Sequence, residues 1–264
     1  MKKTVNSFLK AKKEGNKLAL LTAYDYSTAK LVDASDVDGI LVGDSLGMVC
    51  LGYSNTLPVT IDNVVYHTQA VSRGVKNALL IGDMPFMSYQ VSVAEAVRNA
   101  GRLIQEGKAE AVKLEGGTRV IPQIRAMVRA QIPVMGHLGL TPQSLLSLGG
   151  FRVQGKNQEE AAKMIDDAKK IEDAGVFSMV LECIPAELAA KISEAVSVPT
   201  ISIGAGAGCD GQILVFHDIF GLYSDIKPKH VKVFVNAGEV MKQGITDYVR
   251  EVKNGTFPGQ EQSF

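Results

Sequence analysis

GILVGDS, residues 39–45, is an apolar run that ends in a carboxylate at Asp44. Three later apolar runs also end in an acidic residue, at Asp83, Glu115 and Glu182. An unbroken apolar run is typical of a strand that is buried on both faces, as in a parallel sheet. Because burial of an unpaired carboxylate is strongly unfavourable, four such strand ends predict one shared site in which the charges are compensated. The pattern indicates an enzyme.

Short apolar runs alternate with amphipathic segments along the whole chain. Eight runs begin near residues 18, 39, 78, 111, 134, 178, 200 and, less clearly, 212. Dividing 264 residues among eight runs gives about 33 per run, the length of a βα unit. We therefore expect a (β/α)8 barrel that forms one domain over residues 1–264, with an N-terminal helix at 4–14 capping its lower end. A doubly wound open sheet is disfavoured because it would not bring so many strand ends together.

Local signals set the boundaries of several elements. Ser92 and Asn157 each precede an amphipathic segment and have a glutamate three residues later, which predicts a helix start at both places. The last apolar run, QILVFHDIFG (212–221), is expected to contain the eighth strand. Residues 230–255 are expected to form two closing helices.

Composition excludes several classes of protein. The chain has 28 basic and 28 acidic residues, and this balance argues against a nucleic-acid binder, which needs a basic face. The N-terminal region lacks the apolar centre of a secretory signal, and no stretch is apolar enough to span a membrane. Three isolated cysteines predict a reducing compartment, the cytoplasm. Basic residues near the N-terminus are interpreted as a solvated helix face: Lys2, Lys3, Lys10, Lys12 and Lys13.

The acidic strand ends predict a metal site. Active sites of (β/α)8 barrels lie at the C-terminal mouth, so Asp44, Asp83 and Glu115 should meet there. Two like charges at about 4 Å cost about 4 kcal/mol at an effective dielectric constant near 20. A hard divalent cation such as Mg²⁺ would remove this cost, because it prefers oxygen ligands. The alternative is that each carboxylate only caps the helix after its strand.

Other polar residues at the mouth suggest a substrate site. Side chains alternate along a strand, so Lys113 and Glu115 share a face, and Lys113 with Ser45 could bind an anionic substrate. An ion pair between Lys113 and Glu115 is the alternative. Glu182 is the candidate general base. His137 could assist proton transfer or only form hydrogen bonds inside the barrel, and the sequence does not distinguish the two.

Several segments together identify a family. In order, they are ILVGDSLGM (40–48), VKLEGG (112–117), GHLGLTPQS (136–144), GGFRVQG (149–155) and GAGAGCDGQILVFHD (204–218). The chain resembles the ketopantoate hydroxymethyltransferase family from about residue 3 to its last residues. The resemblance implies a barrel of the phosphoenolpyruvate/pyruvate superfamily. It also implies Mg²⁺-dependent hydroxymethyl transfer from 5,10-methylenetetrahydrofolate to 3-methyl-2-oxobutanoate, giving 2-dehydropantoate for pantothenate biosynthesis.

The resemblance also implies roles for individual residues. It places the metal on Asp44, Asp83 and Glu115, and the keto-acid contacts on Asp44, Ser45, Asp83 and Lys113. The proton acceptor falls on Glu182. Members of the family form decamers built from pentamers, so a homodecamer is expected. The segment GGFRVQGKNQ (149–158) is a candidate lid because of its loop composition.

Two other functions are compatible with such a barrel. A carbon–carbon lyase of the isocitrate lyase type would use the same Mg²⁺ and oxyacid chemistry, but such lyases usually carry a KKCGH-like cysteine loop, which this sequence lacks. A non-catalytic barrel that only binds a metal or a small acid would not need a base at Glu182.

Overall fold

The computed structural model describes residues 2–222 and 228–264. The chain divides into two compact units, Met1–Val215 and Phe216–Phe264. The first unit contains the whole barrel, and the second contains the C-terminal helices. The expectation of one domain over residues 1–264 stays a prediction.

The first unit is a closed barrel of eight parallel strands in chain order, in which the last strand pairs with the first. The strands are β1 (Leu18–Thr22), β2 (Gly39–Val42), β3 (Leu79–Asp83), β4 (Ala111–Lys113), β5 (Val134–Gly139), β6 (Ser178–Glu182), β7 (Thr200–Ile203) and β8 (Gly211–Leu214). The predicted (β/α)8 barrel is confirmed.

Helices lie between most of the strands. Those of the first unit are α1 (Val5–Glu14), α2 (Tyr26–Asp33), α3 (Leu46–Val49), α4 (Ile61–Ser72), α5 (Val93–Gln105), α6 (Ile121–Arg129), α7 (Leu145–Leu148), α8 (Gln158–Asp173) and α9 (Ala186–Ala195). The predicted starts of α5 and α8 are confirmed, because the Ser92 and Asn157 side chains each accept a backbone N–H from the third residue of the helix.

The second unit differs from the expectation. The apolar run of 212–221 is a strand only as far as Leu214, and residues 216–219 form a short helix, α10 (Phe216–Ile219). Beyond it, the described residues form a single long helix, α11 (Ala237–Asn254), so the prediction of two helices within 230–255 was wrong. Among the described residues, no helix is both long and apolar enough to cross a membrane.

The N-terminal helix closes the lower end of the barrel, as predicted. Phe8 and Ala11 of α1 are buried in the same apolar cluster as residues of the strands. The ring of Phe8 meets that of Phe177 edge to face, with centroids 5.8 Å apart. Full burial of such a side chain contributes about 1.5–3 kcal/mol. The apolar stripe of α1 therefore replaces water at this end of the barrel.

The basic residues of the N-terminal segment bind the loops at the same end. Lys3 Nζ lies 2.9 Å from Asp38 Oδ1, and Lys12 Nζ lies 2.8 Å from Asp210 Oδ2. Lys12 also donates to the carbonyl oxygen of Ser193 at 2.7 Å. The interpretation as a solvated helix face was therefore wrong for Lys3 and Lys12. Their carboxylate partners are distant in sequence, so only the closed barrel brings them together.

Candidate active site

Asp83 and Lys113 form a buried ion pair at the C-terminal ends of neighbouring strands. Asp83 is the last residue of β3 and Lys113 the last of β4, and the two are register partners. Lys113 Nζ donates to Asp83 Oδ1 at 2.8 Å and to Oδ2 at 2.9 Å. Both side chains are almost completely buried. Lys113 also forms a longer ion pair with Glu115, at 3.8 Å, so the contact expected in the alternative is present beside the pair with Asp83.

Strand alternation explains why these two side chains point into the barrel. Ile81 and Ala111 belong to the interior apolar cluster, and Asp83 and Lys113 follow them by two residues. Asp44 is an exception, because alternation gives it the outward direction of Val42, whose register partner Gly82 faces Leu103 of α5. The strand β2 ends at Val42, and the turn after it brings Asp44 inward.

Asp44 lies beside Asp83. Its backbone N–H donates to Asp83 Oδ2 at 3.2 Å, and its Oδ2 accepts from Gln143 Nε2 at 3.0 Å. Burial, followed by the charges of Asp83 and Glu115, raises the pKa of Asp44 well above its ordinary value. Burial also raises the pKa of Asp83, although Lys113 opposes this shift. Asp44, Asp83, Glu115 and Lys113, called here the acidic cluster, therefore bring three carboxyl groups and one lysine together in a buried place.

Glu115 lies just beyond the end of β4 and is held from two sides. Its Oε2 accepts the backbone N–H of Gln143 at 3.0 Å, and its Oε1 lies 3.5 Å from His137 Nδ1. Among the described residues, Glu115 Oε1 has no partner within hydrogen-bond geometry. Burial would raise the pKa of Glu115, but His137 and Lys113 outweigh it and lower the pKa.

His137 connects Glu115 to Glu182. Its Nε2 lies 3.3 Å from Glu182 Oε2, and the ring is buried inside the barrel on β5. Burial and the charge of Lys113 would lower its pKa, but contacts with the two glutamates raise the pKa of His137 to about 9. This direction favours the positively charged ring, which both carboxylates stabilise. Among the described residues, neither ring nitrogen has a partner within hydrogen-bond geometry. The structure thus gives His137 a polar contact on each side.

Glu182 is the last residue of β6 and the most accessible of the four acids. Its side chain is 16% exposed, whereas those of Asp83 and Glu115 are 2% and 3% exposed. The strands β5 and β6 approach so closely here that a Cβ at Gly139 would collide with the Glu182 carbonyl oxygen. Gly139 also has a φ of +94°, which glycine adopts without steric cost. A side chain at position 139 would therefore displace the end of β6, which carries Glu182.

Ser45 follows Asp44 at the mouth. Its Oγ is 2.8 Å from the hydroxyl oxygen of Tyr24, which is fully buried. The Tyr24 carbonyl oxygen is 2.7 Å from His67 Nδ1, which ties the loop after β1 to α4. A Cβ at Gly43 would lie 2.8 Å from Ser45 Oγ, so this position has no room for a side chain.

Three buried polar residues belong to the site although the sequence did not predict them there. Tyr24, Tyr89 and Gln143 all bond to residues of the site. Gln143 lies in the segment 136–144, where only His137 was singled out. Uncharged residue types such as these are common on any surface, so only their burial reveals a role.

The oxygen donors of the acidic cluster fit a hard divalent cation. Within residues 2–222 and 228–264, no three His, Cys, Asp or Glu side chains are grouped as a metal centre by themselves. Mg²⁺ does not require such a group, because it usually keeps several waters and binds one or two carboxylates. Asp44 and Asp83 are adjacent, and burial, with a contribution from the charge of Glu115, raises the pKa of both. A cation at this place would stabilise their ionised forms.

The candidate lid begins at Gly149, which ends α7, and contains no regular element before α8. Its Gln154 N–H donates to the Cys183 carbonyl oxygen at 3.0 Å, next to Glu182. Phe151 is 50% exposed and Val153 is 44% exposed. Burial and the neighbouring Glu182 raise the pKa of the Cys183 thiol to about 11, so this cysteine is not a thiolate at neutral pH.

The barrel and its mouth of carboxylates define a class of (β/α)8 barrel enzymes. The fold is similar to that of phosphonopyruvate hydrolase in complex with oxalate and Mg²⁺, with a TM-score of 0.63 and 12% identity over 98% of this chain and 93% of that chain. It is also similar to 2,3-dimethylmalate lyase of the PEP mutase/isocitrate lyase superfamily, with a TM-score of 0.62 and 15% identity over 100% and 92% of the two chains. At these identities the likeness concerns the fold alone.

The sequence identifies the family within this class. The chain belongs to the ketopantoate hydroxymethyltransferase family, whose sequence model matches residues 2–260. It is 66% identical to the 3-methyl-2-oxobutanoate hydroxymethyltransferase of Clostridium novyi (strain NT) over 264 residues, which are 100% of this chain and 96% of that relative. The relatives of the same name from Clostridioides difficile (strain 630) and Enterococcus faecalis (strain ATCC 700802 / V583) are 59% and 58% identical with the same coverage. The predicted family is confirmed.

Proposed function

We propose that this enzyme transfers a hydroxymethyl group from 5,10-methylenetetrahydrofolate to 3-methyl-2-oxobutanoate, giving 2-dehydropantoate for pantothenate biosynthesis. The observation that carries the proposal is the match to relatives of that name at 58–66% identity over the full chain. The acidic cluster at the barrel mouth supplies the chemistry that such a transfer needs. The alternative of a lyase of the isocitrate lyase type is supported only by structural neighbours at 12–15% identity, and these share the fold alone.

Asp44, Asp83 and Glu115 are the residues that would hold Mg²⁺. When bound, the cation would supply Lewis-acid polarisation of the keto-acid oxygens. Lys113 and Ser45 are proposed to bind the carboxylate of the keto acid. Asp44 and Asp83 are proposed to contact the keto acid as well, on the side where the cation would lie. Lys113 suits this role because it is a cation held in place by Asp83 at the floor of the mouth.

Glu182 is proposed to accept the C3 proton of the keto acid. Its carboxylate is the most accessible of the four, and His137 Nε2 lies 3.3 Å from one of its oxygens. When the C3–H bond breaks, the proton goes to Glu182, and C3 forms a bond to the methylene carbon of the folate. Both bonds between that carbon and the folate nitrogens N5 and N10 break, and water supplies the hydroxyl group. The two nitrogens take up the second proton of that water and the proton that Glu182 accepted. His137 is proposed to orient Glu182 during the proton transfer.

The experiment that tests the proposal is proton NMR of 3-methyl-2-oxobutanoate in D₂O with the protein and Mg²⁺. We expect the C3 proton signal to disappear and a hydroxymethyl resonance to appear once 5,10-methylenetetrahydrofolate is added. Both changes should stop when EDTA replaces Mg²⁺. Exchange with no new resonance would contradict the transfer, and an unchanged spectrum would contradict the whole proposal.

A matched pair of variants tests the base. Glu182→Gln should lower the exchange rate by roughly 10²–10⁴-fold, because general acid–base catalysis contributes about that much. Glu187→Gln makes the same substitution at an exposed position of α9 and should leave the rate unchanged. Equal rates for Glu182→Gln and the wild-type protein would remove Glu182 from the reaction.

A homodecamer in the cytoplasm is also proposed. The exposed apolar side chains of α11 support self-association: Val240, Met241, Ile245, Tyr248, Val249 and Val252. The decamer itself rests on the family resemblance, and light scattering after size exclusion would measure it. No nucleic acid or membrane is proposed as a partner.

A further inference from the structure

Gln143 forms hydrogen bonds to two carboxylates of the acidic cluster, those of Asp44 and Glu115. It lies in a short 3₁₀ turn, Pro142–Ser144, just after β5, and only 5% of the residue is exposed. Its carboxamide and its backbone N–H all bond to residues at the mouth. The proposed reaction does not use Gln143 as an acid, a base or a metal ligand.

The carboxamide of Gln143 has both of its protons engaged. Nε2 donates to Asp44 Oδ2 at 3.0 Å and to the Met84 carbonyl oxygen at 2.9 Å. The Met84 carbonyl oxygen can only accept a hydrogen bond, so the amide nitrogen must point towards it. The oxygen Oε1 accepts from the Tyr89 hydroxyl at 2.7 Å. The orientation of the amide is therefore fixed by its partners.

A second path runs from Gln143 to Glu115. The backbone N–H of Gln143 donates to Glu115 Oε2 at 3.0 Å. The Glu115 N–H donates to the Tyr89 hydroxyl oxygen at 3.2 Å, and Tyr89 in turn donates to Gln143. Gln143 thus closes a ring of hydrogen bonds that joins Asp44, next to β2, to Glu115, next to β4.

The residue type suits this place. A glutamate at this position would put another carboxylate against Asp44 and the Met84 carbonyl oxygen. An apolar residue would remove one hydrogen bond from each of three groups, the Asp44 carboxylate, the Met84 carbonyl and the Tyr89 hydroxyl. A neutral side chain with two donors and one acceptor adds no charge to the cluster. The Gln143 amide bonds to Oδ2 of Asp44 and not to Oδ1.

We propose that Gln143 is a positioning residue that holds the carboxylates of Asp44 and Glu115 in the orientation needed to bind the metal and the keto acid. The inference rests on the proposed function, since it concerns ligands of that same site. It predicts that loss of the Gln143 carboxamide weakens ligand binding more than it disturbs the fold.

The test uses Mn²⁺ as a spectroscopic substitute for Mg²⁺, with free Mn²⁺ measured by electron paramagnetic resonance. Gln143→Met keeps the length of the side chain and removes its hydrogen bonds. We expect the Kd for Mn²⁺ and the KM for 3-methyl-2-oxobutanoate to rise roughly 10- to 100-fold, because hydrogen bonds to charged groups are stronger than neutral ones. The kcat should fall less than KM rises.

Gln123→Met is the matched control. Gln123 donates to the Tyr89 carbonyl oxygen at 3.2 Å, so it touches the same tyrosine but no carboxylate of the site. Its Kd and KM should stay within about threefold of the wild-type values, because only a neutral hydrogen bond is lost. If Gln143→Met also stays within that range and only melts earlier, Gln143 is structural and the inference is wrong.

Two further variants complete the test. If Gln143→Met does not fold, Gln143→Asn replaces it, because the shorter amide cannot reach Asp44 and Tyr89 together. Unchanged ligand affinity in Gln143→Asn overturns the inference. Asp44→Asn separates the two hypotheses: if it loses Mn²⁺ binding while Gln143→Met keeps it, the proposed site stands and only the role of Gln143 fails. If the wild-type protein binds neither Mn²⁺ nor the keto acid, the proposed function fails, and the inference fails with it.

Discussion

Lys113→Met removes the one lysine of the acidic cluster, and its effect can be worked from the distances. Lys113 Nζ lies 2.8 Å from Asp83 and 3.8 Å from Glu115. At an effective dielectric constant near 20, these separations correspond to about 6 and about 4 kcal/mol of attraction. Proton uptake by the carboxylates recovers part of this, so the expected loss of unfolding free energy is about 3–5 kcal/mol.

The assay is thermal unfolding followed by circular dichroism, in EDTA and in Mg²⁺. For a chain of this size, 1 kcal/mol shifts Tm by roughly 2–4 °C, so Lys113→Met should melt about 6–20 °C below the wild-type protein in EDTA. Mg²⁺ should raise the Tm of the variant more than that of the wild-type protein, because a cation compensates the carboxylates that Lys113 no longer neutralises.

Lys12→Met is the matched control at the opposite end of the barrel. Lys12 is 15% exposed and pairs with one carboxylate, Asp210, away from the proposed metal site. It should cost less, about 1–2 kcal/mol, and show no extra response to Mg²⁺. The reasoning is refuted if Lys113→Met melts within about 2 °C of the wild-type protein in EDTA, or if Mg²⁺ raises both melting temperatures equally.

Three other substitutions test separate parts of the structure. Asp83→Ala should abolish Mg²⁺-dependent binding of 3-methyl-2-oxobutanoate in calorimetry, and retained binding would exclude Asp83 from the metal site. Gly139→Ala should slow C3 proton exchange in D₂O roughly 10- to 100-fold with unchanged keto-acid affinity, because the added Cβ displaces the end of β6 and Glu182; a normal rate would contradict this. Asp33→Asn should cost about 2–3 kcal/mol in urea unfolding at pH 7, because the buried carboxylate accepts the N–H groups of residues 76–78. Although burial raises the pKa of Asp33, these hydrogen bonds outweigh burial and lower it below the ordinary 3.8. Its stabilisation is therefore present above pH 3.8 and lost as the pH falls through the lower folded-state pKa, so the two proteins should converge at low pH.

The apolar strands were predictable because their signal is local. Eight runs of the right length and spacing predict a barrel, and the alternation of side chains puts Lys113 and Glu115 on one face. Alternation did not work for Asp44, because the strand ends two residues before it and the turn reverses its direction. The eighth run contains the expected strand, but two helices were expected within residues 230–255 where the structure has the single helix α11. The short apolar segment before α11 was wrongly predicted to be a helix because apolar content alone does not identify the element.

The polar contacts needed the folded chain. Lys3 and Lys12 meet carboxylates 35 and 198 residues away, and Gln143 meets Asp44 across 99 residues. A lysine or a glutamine has no local pattern that distinguishes a buried partner from a solvated surface residue. Burial decides which of them matter, and burial is a property of the whole barrel.

The amino-acid sequence by itself determined the barrel, the family and the four acidic strand ends, because strand periodicity and family motifs are read along the chain. Only the tertiary structure decided which side chains each of those acids contacts. It paired Asp83 with Lys113, set His137 between Glu115 and Glu182, and brought Gln143 to Asp44. The physical reason is that closure of the barrel excludes water from the acidic cluster, so each buried charge there must find a partner from another strand.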